Sequence, residues 1–492
     1  MTFTNTTVTN TTNKNMTPPQ LFIDGEFRIA DKAEPVLEAA TGELLGDGAS
    51  ATEADIDAAV AAARAALPEW SGASPDHRAA VLKAFAAALH QRAAGTSELV
   101  SRENGMPMSL SGAANGLFPA ALLSYYAKLI TATPIEEIRP SSTGHTIVRR
   151  DPVGVVAAIV PWNYPQALAA FKFAPALAAG CTVVLKASPE TALDAMVFAE
   201  AAQQAGIPAG VFNVVPGATD ASAHLVAHPG VDKVSFTGST AVGRIIGEVC
   251  GRLLRPVTLE LGGKSAAIIL DDADLDATMR GLRSVSFINN GQTCFLGSRI
   301  LAPRSRYGDV VDALADLVNG MTVGDPLDTA TDIGPVVSAR QRERVLGYIE
   351  AGKNSGAKLV VGGGVPRSQP RGWFVSPTVF ADVDNSDRIA QEEIFGPVLA
   401  VIPYDSDEHA VALANDSEFG LAGSVWSTDV ARATEVAREI RTGTVGINDY
   451  QLDIGAPFGG VKASGIGREL GPEGLEEFFN LKSIYRTGPA DV

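Results

Sequence analysis

Between about residues 150 and 270 the chain alternates short apolar runs with longer amphipathic ones, and this rhythm restricts the fold more than any other feature. "CTVVLKAS" (181–188) reads as a buried strand. "TALDAMVFAEAAQQAG" (191–206) reads as a helix ended by Gly206, and "VFNVVPG" (211–217) as a strand leaving into a turn. "VDKVSFTGSTAVGRIIGEVC" (231–250) is strand, glycine turn and helix, and "PVTLELGGKSAAIIL" (256–270) reads as a strand pair. Strands separated by helices need crossover connections, which place the strands parallel. The prediction is an α/β fold with a doubly wound, Rossmann-type sheet.

The flanks add detail. "LFIDGEF" (21–27) has the Asp-Gly signal of a hairpin, and helices are expected in 50–70, 74–93 and about 112–129. The second half alternates in the same way, with strands in "LGSRILAP" (296–303), "EEIFGPVLAVIPY" (392–404) and "GTVGIND" (443–449), and helices in 307–321 and 340–354. The run Leu481–Arg486 alternates like a strand with no partner close in sequence, which predicts long-range or intersubunit pairing.

A length of 492 residues allows about two to four domains. A net charge of −17 opposes binding to nucleic acid or an anionic membrane, since both need a basic field. No apolar stretch is long enough to span a bilayer. The Thr/Asn-rich start, with N-x-[ST] matches at Asn5, Asn10 and Asn15, lacks the apolar core of a secretory signal. Three cysteines make no disulfide framework, and the expected compartment is the reducing cytoplasm.

Several short motifs carry possible chemistry. "SFTGSTAVG" puts Gly238 and Ser239 where a strand turns into a helix, a place suited to phosphate. Its glycines lack the G-x-G-x-x-G spacing, and such a turn can also be merely structural. Glu260 of "TLELGGKS", followed by Gly262, lies inside an apolar strand: it is either a paired structural acid or a general base. Asn163 of "PWNYP" sits between prolines and aromatics, where it either satisfies a turn or donates to an oxyanion. Glu393 and Phe395 of "QEEIFGPV" suit a sugar and a flat ring, or a surface and a core. Cys294 of "NNGQTCFLGS" is either a small buried hydrophobe or a nucleophile.

Taken singly, these motifs leave both readings open. Their order, with Asn163, Lys186, "FTGS", "ELGGK", "GQTC", "EIFGP" and "PFGGVKASGIGRE", resembles the NAD(P)-dependent aldehyde dehydrogenase superfamily. The resemblance covers nearly everything after the N-terminal tail. It implies that Cys294 is the nucleophile, Glu260 the base that activates water, and Asn163 half of an oxyanion hole. It also implies that Trp162, Lys186, Ser188, Gly238, Ser239, Gly262, Glu393 and Phe395 hold the cofactor, NAD with NADP possible, and that no metal takes part. The implied domains are a tail at 1–19, a cofactor domain at 20–130 and 152–262, a catalytic domain at 263–462, and a small β oligomerisation element at 131–151 and 479–492. The implied assembly is a homodimer or homotetramer.

One position departs from the resembled pattern. Three residues after Lys186, many NAD-preferring relatives carry a glutamate; here Pro189 stands there, with Glu190 beside it. The aldehyde pocket is expected to use Tyr164, Leu168, Phe171, Phe287, Thr293, Phe295, Gln451, Leu452 and Ile454, a mostly apolar set. Two other readings remain: an enzyme that passes the thioester to coenzyme A, and a non-catalytic dinucleotide-binding protein.

Overall fold

A computed structural model describes residues 18–488. Residues 1–17 of the expected tail, with the three N-x-[ST] matches, lie outside the described residues, as do 489–492.

The predicted hairpin forms from Gln20–Ile23 and Glu26–Ile29, turned by Asp24 and Gly25, both with positive φ. The first long helix, Glu53–Gly72, starts on a capping box between Thr52 and Asp55. The second runs much further than predicted, from Pro75 to Asn104, and ends on left-handed Gly105. The third, Phe118–Ala132, is preceded by a π-helical turn at Gly112–Leu117.

The alternating region builds an eight-stranded sheet. Its order is Gly465–Ile466, Val257–Glu260, Lys233–Thr237, Val155–Ile159, Thr182–Lys186, Phe212–Val214, then the N-terminal hairpin. The strands from Val257–Glu260 to Phe212–Val214 are mutually parallel. The period of two divides their side chains between two cores. Val156, Ala158, Val183 and Leu185 pack under the helices Pro75–Asn104, Phe118–Ala132, Pro165–Ala179 and Ala192–Gln204. Val155, Ala157, Ile159 and Val184 face Glu53–Gly72, Thr219–Ala227 and Thr240–Arg252. Burial on both faces explains why these strands are apolar throughout.

A second, seven-stranded sheet contains Ser265–Ile269, Gly297–Pro303, Thr378–Ala381, Val398–Tyr404, Gly423–Trp426 and Gly446–Ile447 as parallel strands, with Lys358–Val361 antiparallel at one edge. The stretch 256–270 is therefore two strands that do not pair. Val257–Glu260 ends in the first sheet and Ser265–Ile269 begins in the second. The chain passes between them at Gly262 and Gly263, where side chains have no room. A Cβ on Gly262 would meet Glu393 Oε2 at 2.7 Å, and one on Gly263 would meet the Cys294 carbonyl oxygen at 2.3 Å.

The terminal strand, Phe479–Thr487, pairs antiparallel along its length with Gly144–Pro152, which also pairs with Glu136–Ser141. The predicted long-range pairing thus occurs within the chain. No helix among the described residues is long and apolar enough to cross a membrane.

Candidate active site

The interval between the two sheets opens into a cleft of about 430 Å³. Its walls bring together Trp162, Asn163, Gly238, Ser239, Gly262, Cys294, Glu393 and Phe395, residues up to 233 positions apart in sequence (395 − 162). The strand Lys233–Thr237 delivers Gly238, and Ser239 caps the helix Thr240–Arg252 by accepting from Val242 N–H. The first amides of that helix have no intrahelical acceptor and face a site suited to an anion. Gly238 lies against the Phe236 ring, 2.4 Å from where a Cβ would stand, so a larger residue would displace the turn. Trp162 and Phe395 meet edge to face, with ring centroids 5.4 Å apart. Phe395 has φ 62, a conformation uncommon for a bulky side chain.

The helix Ala339–Asn354 holds this turn, a contribution that sequence reading missed. Gln341 Nε2 donates to the Phe395 carbonyl at 2.7 Å, and Arg344 Nη2 donates to the Glu393 carbonyl at 2.6 Å. Arg340, Gln341 and Arg344 line the cleft. Their i, i+1, i+4 placement on a polar helix gave no sign of a role in the linear sequence.

Cys294 is half-buried, and burial, followed by the charges of Glu393 and Glu260, pushes its thiol pKa up. Glu260 is not in the cleft wall. It ends its strand fully inside the protein, against Gly459, and among the described residues neither carboxylate oxygen has a hydrogen-bond partner. Burial first, and Glu469 second, hold its pKa well above the carboxylate range. Buried acids are ordinarily hydrogen-bonded, so an orphaned one beside a thiol calls for a chemical reason. Glu393 accepts from Gly263 N–H at 3.1 Å, and burial raises its pKa to about 7.

Lys186 and Ser188 also lie outside the cleft wall. Lys186 Nζ donates to the Gly217 carbonyl at 3.1 Å, and burial lowers its pKa to about 8. Pro189–Thr191 forms a 3₁₀ turn that swings Glu190 back: Ser188 Oγ donates to Glu190 Oε2 at 2.6 Å, and Glu190 Oε1 lies 3.4 Å from Arg340 Nη2. Glu190 thus links Ser188 to Arg340 of the cleft wall, and its charge acts on Lys186.

The glycine-rich segment 457–471 is no loose connector. Gly465–Ile466 adds an antiparallel strand to Val257–Glu260, and Ser464 Oγ donates to the Gly262 carbonyl at 2.7 Å. Glu469 pairs with fully buried Lys172 at 2.6 Å. Lys172 also donates to Thr237 Oγ1 at 2.7 Å.

Around Cys294 the expected aldehyde wall is largely apolar. Phe171, Leu168 and Phe458 belong to the core against which Cys294, Tyr164, Phe295, Leu452 and Ile454 pack. Tyr450 stacks on Phe295 at 4.8 Å, and Tyr164 shares a hydrogen bond with Thr293 Oγ1 at 2.9 Å. Phe458 and Tyr450 were missed, although both lie within four residues of the expected Gln451, Leu452 and Ile454. Two expectations are corrected. Phe287 packs into the core of the second sheet, because its strand-facing side chain follows Leu282 and Val285 inward. Gln451 is exposed and donates to Asp449 Oδ2.

One group of described side chains has metal-ligand chemistry: Asp57, His224 and His228. It belongs to the helices Glu53–Gly72 and Thr219–Ala227 and the residue after the latter, not to the cleft. Gly230 N–H donates to His228 Nδ1 at 2.9 Å, which leaves the ring proton on Nε2, facing Asp57 at 3.3 Å. The geometry is that of a carboxylate gripped by donors.

A parallel-sheet cleft with a helix N-terminus in its wall, a half-buried thiol, a half-buried acid and a fully buried acid behind it defines an α/β enzyme that takes a phosphate-bearing cofactor at its strand ends. Residues 28–484 match the model of the aldehyde dehydrogenase family. The chain is 56% identical over 474 residues to a geranial dehydrogenase of Castellaniella defragrans, covering 95% of this chain and 98% of that protein. It is 42% identical to a betaine aldehyde dehydrogenase of Rhizobium leguminosarum bv. trifolii, covering 94% and 96%. A crystal structure of Mycobacterium tuberculosis aldehyde dehydrogenase complexed with NAD+ superposes with a TM-score of 0.93 at 48% identity, covering 96% and 99%. The chain belongs to the aldehyde dehydrogenase family. It is an oxidoreductase that converts an aldehyde to a carboxylic acid.

Proposed function

We propose that the chain oxidises an apolar aldehyde with NAD by covalent catalysis at Cys294. The observation that carries this reading is a half-buried thiol and a pinned asparagine amide in the cleft wall, with the orphaned Glu260 carboxylate buried behind it and near enough to act on the thiol. Glu260, with its raised proton affinity, takes the thiol proton, and the thiolate adds to the carbonyl carbon. The alkoxide of the resulting thiohemiacetal accepts from Asn163 Nδ2 and the Cys294 N–H; removing one such donor typically costs ~10²–10³ in rate. NAD, when bound, supplies the hydride acceptor and a positive charge close to the thiolate. Loss of hydride leaves a thioester on Cys294. Glu260, once it has passed the thiol proton on to solvent and is again a carboxylate, deprotonates water, which attacks the thioester carbon; the acid is released and the thiolate returns.

The cofactor set fits the residues present. Gly238, Ser239 and the free amides behind them suit a pyrophosphate, Glu393 suits the ribose on the nicotinamide side, and Lys186 suits the adenosine ribose. The first sheet supports a cofactor domain at 20–130 and 152–262, and the second a catalytic domain at 263–462. The wall of Phe171, Phe295, Phe458, Leu452 and Ile454 supports an apolar chain, as in geranial; its rings would also accept a quaternary ammonium by cation–π contact, so the aldehyde panel includes both. The exposed Ile138, Leu481, Ile484 and Tyr485 on the three-stranded sheet support an oligomer of two or four copies. Three free cysteines support a reducing, cytoplasmic setting.

The test is NADH formation from a panel of aldehydes, with and without coenzyme A. Turnover of medium-length apolar aldehydes in water is expected. A requirement for coenzyme A would move the reaction to acyl transfer, and no turnover with any aldehyde would leave a binding protein.

A further inference from the structure

We propose that Asn289 is a positioning residue: it locks the oxyanion donor Asn163 to the loop that presents Cys294. The inference rests on the reading of Cys294 and Asn163 given above. It starts from backbone strain. Asn289, Asn290 and Gly291, immediately before "QTC", have φ of 51, 60 and 79, three successive left-handed residues. Such residues cost free energy unless the surroundings fix them, and asparagine tolerates the region best after glycine. Gly291 is forced: a Cβ there would stand 2.1 Å from the Gly396 carbonyl.

What fixes the two asparagines is a network of buried amides. Asn289 Nδ2 donates to the Asn163 carbonyl at 3.0 Å and to the Gln292 carbonyl at 3.2 Å. Asn163 Nδ2 donates to the same Gln292 carbonyl at 3.0 Å. One of its two hydrogens is thereby committed, which fixes the direction of the other. Asn104, at the end of its helix, donates to the carbonyls of Trp162 at 3.0 Å and Asn163 at 3.2 Å. Asn290 Nδ2 donates to the carbonyls of Gly105 and Pro335, and its Oδ1 accepts from Gly334 N–H. Gln292 Oε1 accepts from Val337 N–H at 2.8 Å. Asn104, Asn163, Asn289, Asn290 and Gln292 are all buried, so none of these bonds competes with bulk water.

Asn289 alone in this network bridges the Asn163 backbone and the nucleophile loop through one nitrogen. An oxyanion hole works only if its donors stand where the charge develops, and a misplacement of about 1 Å costs ~10²-fold. The strained loop therefore sets the distance between Asn163 and Cys294, and Asn289 holds that setting.

The test is Asn289→Gly, which keeps the positive φ without strain and removes only the side chain, made in wild-type and Asn163→Ala backgrounds. Single-turnover NADH formation reads hydride transfer, iodoacetamide alkylation reads the thiol, and NAD fluorescence quenching reads cofactor binding. In the wild-type background hydride transfer is expected to fall by more than tenfold, with alkylation and NAD binding within threefold. In the Asn163→Ala background the same substitution is expected to cost less than threefold, because the group it positions is already gone. Equal losses in both backgrounds, loss of alkylation in step with hydride transfer, or less than a threefold loss in the wild type overturns the proposal. Failure of the underlying reading is distinct: Asn163→Ala alone would then retain hydride transfer.

Discussion

The 3₁₀ turn after Lys186 leads to a quantitative expectation for cofactor choice. Glu190, not the residue at position 189, supplies a carboxylate beside the lysine, held by Ser188 Oγ at 2.6 Å and with its side chain about three-quarters buried at 25% exposure. Its charge acts on Lys186, opposing the fall that burial imposes. A 2′-phosphate bound by Lys186 would face this carboxylate. Two unit charges ~6 Å apart at an effective dielectric of ~20 repel by ~2.8 kcal/mol, and halving this for partial exposure leaves ~1.4 kcal/mol, about tenfold. Glu190→Gln should therefore shift the NAD/NADP ratio of kcat/KM towards NADP by ten- to a hundredfold, with little change in kcat for NAD. Ser188→Ala, which frees the carboxylate without removing it, should shift the ratio less. The pH dependence has a definite sign. Lys186 is charged below about pH 8 and neutral above it, so NADP use should decline above that point faster than NAD use. The assay is steady-state kinetics with one apolar aldehyde and both cofactors between pH 6.5 and 9.5, values chosen to span roughly the lowered lysine pKa. A ratio that moves less than about twofold in Glu190→Gln would show that Glu190 does not face the adenosine ribose.

Other expectations concern the chemistry and the assembly. Cys294→Ser should keep the fold and cofactor binding but fall below about a tenth of wild-type turnover, because a serine hydroxyl is almost wholly un-ionised at neutral pH; NADH release checks this. Glu260→Gln should give at most one slow burst of NADH per site and then stall, seen by rapid mixing. Because burial and Glu469 raise the Glu260 pKa, deacylation in the wild type should be lost, as the pH falls, well before an ordinary glutamate would protonate. Light scattering should give a dimer or tetramer, and Leu481→Lys with Tyr485→Lys should shift it towards monomer.

The sequence disclosed those parts of the molecule whose cause is local. The hairpin at Asp24–Gly25, the capping box at Thr52 and the buried strands of the first sheet follow from periodicity and turn chemistry over a few residues. The candidate site residues could be named because their spacing matches a known order, and the cleft brings most, though not Glu260, Lys186 or Ser188, into one wall. What escaped was non-local. Whether Val257–Glu260 and Ser265–Ile269 pair depends on which sheet has an open edge, and two apolar strands separated by glycines look alike in either case. The inward turn of Phe287 follows from the second sheet's core, which no local pattern announces. Arg340, Gln341 and Arg344 read as an ordinary polar helix face until Glu393 and Phe395 are brought against them.

The same division explains the glycines and asparagines around the nucleophile. Each looks like loop punctuation in sequence, and each is required by an atom from a distant segment. Gly263 makes room for the Cys294 carbonyl, Gly291 for Gly396, Gly459 for Glu260 Oε1 and Gly465 for the Leu259 carbonyl. Side chains are excluded at these points because backbone or a carboxylate from another segment packs too closely against them. That packing removes water from Glu260 and raises its proton affinity. The raised proton affinity of Glu260 is thus a product of packing: a larger residue at 459 would meet the carboxylate within 2.6 Å and either displace it or admit solvent around it. Either response would lower the affinity of Glu260 for a proton and, on the mechanism proposed, slow hydrolysis of the thioester.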